Sequence, residues 1–198
     1  MYTQEFENCL HFFDSQANED LQSAIEYPRD PLIRIRNANV YFLSKKEIAQ
    51  ESSRPISIDC YNVISKTRES LLSFLSCPTD IQVSSKQNTL VVASPNNMLE
   101  AYDITSKNIK WRLNLLSLKL CSQCLQIYPS DMHEKLYLLN GANGMVRSID
   151  LDYGLHLDTC TIKDDEQEKE NSYRFLSVAQ DQVFLQKFDL SMIHEAHQ

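Results

Sequence analysis

Two stretches, Thr89-Leu-Val-Val-Ala-Ser-Pro-Asn-Asn-Met-Leu-Glu-Ala-Tyr-Asp-Ile104 and Leu136-Tyr-Leu-Leu-Asn-Gly-Ala-Asn-Gly-Met-Val-Arg-Ser-Ile-Asp-Leu151, align without a gap. Each joins an apolar run to an alternating one through a short turn of Asn, Pro or Gly, and Tyr102-Asp103-Ile104 falls on Ile149-Asp150-Leu151. Leu99, Ala101 and Asp103 alternate with Glu100, Tyr102 and Ile104, a period of two that belongs to a strand and not a helix. Asn140-Gly141 and Asn143-Gly144 tolerate positive φ, so they predict a turn between the runs. The repeated unit is therefore an antiparallel hairpin.

Its ending recurs. Tyr61-Asn62-Val63 runs into Ile64-Ser65-Lys66 much as Tyr102-Asp103-Ile104 runs into Thr105-Ser106-Lys107. Phe188-Asp189-Leu190 ends a hairpin with Phe175 to Ala179. The markers Asn62, Asp103, Asp150 and Asp189 are spaced by 41, 47 and 39 residues, which sets the repeat length. An Asn or Asp beside a tight turn ordinarily makes a local bond to the backbone, so these four read as structural. Further strands are expected before each hairpin, at Ile81 to Val83 and Cys124 to Tyr128, and after each marker, at Leu71 to Phe74, Ile109 to Leu115 and Leu155 to Ile162. In the first unit they are expected at Pro31 to Arg36, Asn39 to Leu43 and Ile56 to Tyr61. Four short strands in about 40 to 45 residues is the spacing of a propeller blade.

On these residues, over about 31–190, the chain resembles the WD-repeat family and its quinoprotein-like relatives. Tyr102 to Trp111 and Ile149 to His156 look like the end of a WD-type third strand, its turn and the start of the outer strand. The sequence departs from that pattern in lacking a Trp-Asp dipeptide and a Gly-His opening, and in holding only three glycines. The resemblance implies an all-β, β-propeller-like array of about four antiparallel blades. Residues 28–190 form the array, between a helical segment at 1–27 and a tail at 191–198. The helix is expected because Phe6, Cys9, Leu10, Phe13, Leu21 and Ile25 can share one helical face. Residues 163–171, rich in Asp and Glu, are expected to be a solvated loop.

Three complete units and a partial fourth leave sheet faces that need neighbours, since a blade cannot bury both faces alone. The array can close as a compact ring, stay open and borrow surface from a partner, or belong to a larger propeller. The open, partner-completed form is expected, because its end sheets offer apolar faces and unpaired edges.

Composition narrows the function. A chain of 198 residues, 42% hydrophobic and 23% charged, can bury a core. Its net charge of −8 argues against nucleic-acid or anionic-membrane partners, both of which need cationic surface. Residues 1–20 have no basic leader or continuous apolar run, no Asn-x-Ser/Thr acceptor occurs, and six cysteines are scattered through the chain. Those features predict an intracellular protein, cytoplasmic or nuclear, with free thiols.

Motifs of chemistry are few. Cys121-Ser-Gln-Cys124 lacks the second pair that a zinc site needs, and in a strand residues three apart face opposite ways. His11, His133, His156, His194 and His197 have no metal-ligand spacing, and no phosphate loop or nucleophile elbow occurs. No catalytic residue, metal site or cofactor is expected. Trp111 is expected either to pack between blades or to serve as an exposed anchor. With Phe6, Leu10 and Phe13 it makes up the candidate partner contacts. The expected function is a non-catalytic interaction subunit of a multiprotein complex. The alternatives are a ubiquitin-ligase substrate receptor or adaptor docked through the N-terminal helix, and a quinoprotein-type enzyme.

Overall fold

The computed structural model describes residues 9–14, 19–26, 32–45, 55–84, 86–161, 171–179 and 182–189. The backbone divides into two compact units, Met1–Cys77 and Pro78–Gln198.

In the first unit, β1 (Cys9–Asp14) and β2 (Glu19–Glu26) form a two-stranded antiparallel sheet. The helix expected over residues 1–27 is therefore replaced by strands where the backbone is described. Six residues cannot sustain a helix without support, whereas strand pairing satisfies the backbone and suits a run containing Phe12 and Phe13. Leu10 and Phe13 stand in β1, opposite Ile25 and Asp20; Phe6 lies outside the described residues. Next come β3 (Ile33–Arg36), β4 (Asn39–Lys45), β5 (Ile56–Asn62) and β6 (Thr67–Phe74), paired in that order as sheet I. Val40, Phe42 and Tyr61 bury together on it, with Ile33 and Val63 against them. The Arg68 guanidinium lies 5.2 Å from the Phe42 ring centre and donates to Asp59 Oδ2 at 2.6 and 2.8 Å.

The second unit holds sheet II, formed by β7 (Asp80–Ser84), β8 (Thr89–Ser94), β9 (Met98–Asp103) and β10 (Ile109–Asn114). Two 3-10 turns, Leu115–Leu118 and Ser122–Cys124, lead to sheet III. Its strands are β11 (Leu125–Ser130), β12 (Lys135–Asn140), β13 (Met145–Asp150) and β14 (His156–Thr161). A hairpin of β15 (Asn171–Ala179) and β16 (Gln182–Asp189) follows. The residues 191–198 lie outside the described ones.

Three markers do the same work in three sheets. Asn62 Oδ1 accepts from the backbone N–H groups of Ile64 and Ser65 at 3.0 and 2.8 Å. Asp103 Oδ1 accepts from Ser106 at 2.7 Å, and Asp150 Oδ1 accepts from Asp152 and Tyr153 at 2.9 and 2.8 Å. Four residues after each marker the chain turns left-handed, at Lys66, Lys107 and Gly154, with φ of 55°, 61° and 70°. The markers face the first residue of the second strand in each sheet: Asn39, Thr89 and Lys135.

Asp189 is not equivalent to them. The first strands begin at Ile33, Asp80, Leu125 and Asn171, close to even steps, and β15 lies against β11, which itself lies against β7. The last hairpin thus supplies the first and second strands of a further sheet, and Asp189 ends a second strand, not a third. The gapless alignment is also corrected. It is right for the third strands, but the turn Gly141–Gly144 is one residue longer than Pro95–Asn97, so Leu90 corresponds to Leu136 and not Tyr137. A slip of one residue reverses the face of every side chain.

Removing a local backbone acceptor costs about 1 kcal/mol. Asp150→Ala is expected to lower unfolding stability by about that amount, with Asp150→Asn near neutral because Asn62 fills the same role; urea denaturation of the full chain measures both. The Ser106 backbone N–H holds Asp103 below the ordinary carboxylate range. A lowered folded-state value stabilises above the unfolded value of about 3.9 and is lost on acidification. The Tm of the unsubstituted chain is therefore expected to fall relative to Asp103→Asn below about pH 4, in a thermal melt followed against pH.

Candidate protein-interaction face

Sheets II and III meet through apolar side chains from both. Val91, Ala93, Leu99, Ala101 and Trp111 of sheet II pack with Leu125, Ile127, Leu136, Leu138, Ile149 and Leu151 from the sheet III side. Polar clasps flank this seam at strand ends and in the turns. Lys110 Nζ donates to Thr89 Oγ1 at 2.8 Å and Asp152 Oδ1 at 3.0 Å, and Lys86 pairs with Glu134 at 3.0 Å. The Ser84 hydroxyl bonds the Asp131 carboxylate.

Trp111 sits in that seam. It is 7% exposed, and its indole N–H donates to the Leu151 carbonyl at 2.8 Å. It thus packs between sheets, the first of the two expectations, and its place among the candidate partner contacts as an exposed anchor is corrected. Its indole lies over Gly154 around the ring fusion, where a Cβ would come within 2.6 Å of Cδ2. The same glycine has φ +70°, a conformation that favours glycine though Lys66 and Lys107 adopt it, and the space under the indole requires the missing side chain.

The equivalent face of sheet III is treated differently. Its inner half is covered: Tyr137, Leu139 and Val146 pack with Tyr173 of β15, with Val183 and Leu185 of β16 against them. These three hairpin residues take the places that Ile127, Leu136 and Leu138 hold against sheet II. The Tyr173 N–H donates to the Gly141 carbonyl at 2.8 Å, and the Gln126 side chain donates to the Tyr173 carbonyl at 2.9 Å.

The outer half is open. Ser148, Asp158 and Cys160 line a groove of about 400 Å³ with Tyr137, Val146, Val183 and Leu185. Register makes the contrast direct, because Asp158 stands opposite Ser148 as Trp111 stands opposite Ala101. The buried Trp thus has an exposed Asp as its counterpart. All six residues of β14 are exposed, Leu157 among them at 48%.

The remaining candidates do not converge on chemistry. Cys121 and Cys124 occupy a 3-10 turn and its cap, not the strand first expected, and both are free thiols. His194 and His197 lie outside the described residues. Among the described residues no three His, Cys, Asp or Glu side chains come together as metal ligands. Burial pushes the Cys60 thiol up, away from the reactive thiolate, and Tyr41 beside it up to about 12. The groove was illegible in the sequence; its only sequence signal is the polar trio Ser148, Asp158 and Cys160 where the preceding unit carries Ala101, Trp111 and Leu113.

No protein-family model matches the chain, and no curated protein does. Solved structures do. BamB from Moraxella catarrhalis aligns at a TM-score of 0.57 and 10% identity, over 92% of this chain and 50% of that one. Sqt1 from Saccharomyces cerevisiae aligns at 0.54 and 12%, over 82% and 46%. This chain spans about half the length of each. Both are β-propellers, and at such low identity the likeness is one of fold: all-β and propeller-like, as the repeat predicted.

Left-handed strain at a non-glycine costs about 1 kcal/mol or more, and the Cβ would also displace the indole. Gly154→Ala is expected to destabilise the chain by about 2 kcal/mol or more. Trp111 is the sole tryptophan, so its fluorescence emission should shift to the red in the folded variant; Gly141→Ala, away from Trp111, should leave the emission unchanged.

Proposed function

We propose that the chain is a non-catalytic, intracellular subunit that binds other proteins and whose sheet array a protein partner completes. The observation that carries this reading is the unequal covering of two equivalent faces. Sheet II buries its outer strand through Trp111, while sheet III leaves β14 and the groove at Ser148, Asp158 and Cys160 open. An open groove lined in part by apolar side chains, here Tyr137, Val146, Val183 and Leu185, marks an association site.

A non-catalytic role accords with the groove's lining. Its polar groups include a hydroxyl, a carboxylate and a thiol, with no imidazole among them to activate a nucleophile. The ubiquitin-ligase reading rested on a docking helix at residues 1–27, where the described backbone is strand. The acidic balance accords with protein rather than nucleic-acid or anionic-membrane partners.

The test uses the full chain as bait in cell extract, beside a Ser148→Arg/Asp158→Arg variant. Proteins retained by the unsubstituted chain should be lost by a variant of unchanged Tm. Equal recovery by both would show that the groove is not the binding face.

A further inference from the structure

The turn Cys121-Ser-Gln-Cys124 lies between sheets II and III, and both of its ends are held. Leu120 and Leu125, on either side, are 1% and 9% exposed in the core that the two sheets share. Ser122 is 3% exposed; its N–H donates to Asn97 Oδ1 at 2.9 Å and its hydroxyl to the Pro95 carbonyl at 3.4 Å. The Cys124 N–H donates to the Cys121 carbonyl at 3.3 Å, which closes the turn. A four-residue turn so closed brings its end Cα atoms within about 7 Å, inside the reach of a disulfide. Cys121 is the N-cap of the 3-10 turn, with extended backbone at φ −126° and ψ 136°, and Cys124 is its third residue. Side chains at those two positions reach towards one another's backbone, as Ser and Glu do in a capping box. The Cys121 thiol makes no cap bond of its own. Both thiols are free, with Cys124 exposed and Cys121 half-buried.

A short run of bonds links this turn to the groove wall. The Cys124 carbonyl accepts from the Gly141 N–H at 2.9 Å, and the Gly141 carbonyl accepts from the Tyr173 N–H at 2.8 Å. A Cβ on Gly141 would lie 3.3 Å from the Cys124 carbonyl oxygen and 3.2 Å from that of Tyr173, so turn and hairpin meet there without slack. Tyr173 packs with Val183 and Leu185, two residues that line the groove.

We propose that Cys121 and Cys124 form a reversible dithiol–disulfide site, oxidised by a small-molecule disulfide of the glutathione class, and that closing it steadies the seat of the β15–β16 hairpin. The exposed Cys124 attacks first. Its thiolate displaces one thiolate from the small disulfide and takes the other half as a mixed disulfide; the Cys121 thiolate then attacks Cys124 Sγ and displaces the second. The protein gives up two protons and two electrons, and one small disulfide becomes two thiols. Because the turn is pinned from outside, the second thiol is presented at high effective concentration and the mixed disulfide does not persist. Cys77 and Cys160 are exposed too, but each stands alone in its stretch of sequence and lacks that second step. The site stands on the turn alone, whatever the groove binds.

The test equilibrates the full chain in glutathione buffers of rising oxidised fraction, quenches it with an alkylating agent and digests it with trypsin. Cleavage after Lys119 and Lys135 leaves both cysteines in one peptide, residues 120–135. That peptide should lose two hydrogens, carry no glutathione and take no alkyl label, and dithiothreitol should restore two labelled thiols. Cys77 and Cys160 should carry glutathione in the same samples, and in Cys121→Ser the remaining Cys124 should keep a stable adduct. Amide exchange at Gly141 and Tyr173 should slow several-fold on oxidation of the unsubstituted chain, and not in Cys121→Ser/Cys124→Ser in the same buffers. A pair that stays as two thiols while Cys77 is modified, or a lasting adduct on Cys124 of the unsubstituted chain, overturns the site. Closure with unchanged exchange at Tyr173 overturns its link to the hairpin. Neither result touches the interaction reading, which the groove variants test by themselves.

Discussion

The contact between Trp111 and the Leu151–Gly154 turn governs how one sheet is laid on the next. A four-stranded sheet with apolar residues on both faces has no stable existence in water, and its outer strand is the hardest part to cover. Sheet II meets that demand with one large aromatic, fixed by an indole bond to a backbone carbonyl and admitted by a glycine held at positive φ. The turn that offers both is itself set by Asp150, whose carboxylate bonds the next two backbone N–H groups in reach. A local polar cap in one sheet thereby shapes the apolar seat for its neighbour.

Seen from that contact, the groove on sheet III is the same seat without its occupant. Where Trp111 would be, Asp158 stands exposed; where Leu113 would be, Cys160. A sheet meant to face water across its whole front would not also carry Tyr137, Leu139 and Val146 on that side. The face is apolar where the last hairpin covers it and polar where it does not. That division runs through β13, with Val146 on the covered side and Ser148 on the open side, together with all of β14.

The hairpins at the two ends of the described backbone are two-stranded sheets. Each is hydrogen-bonded within itself and leaves an edge. Edge strands seek pairing, and a two-stranded ribbon alone is marginal in water. Whatever pairs with them, these edges are where association has most to gain.

Much of this was legible in the residues. The period-two alternation, the Asn and Gly turns and the recurrence of Asn62, Asp103 and Asp150 determined the strands, the antiparallel hairpins and the propeller-like class, because each depends on neighbours within a few positions. Three matters were settled only by tertiary structure. Residues 90–93 and 136–139 are buried on both faces, so no alternation betrayed the extra residue in the second turn. Asp189 mimics a marker in sequence, but its rank in the sheet depends on β15 packing against β11 and β12, contacts made across dozens of residues. At Cys9–Asp14 and Glu19–Glu26 the apolar spacing suits a helix as well as a pair of strands, and backbone pairing between the two segments decided for strands. The groove belongs with these: it is defined by which neighbouring strands are missing, and a linear sequence does not record what lies beside it in space.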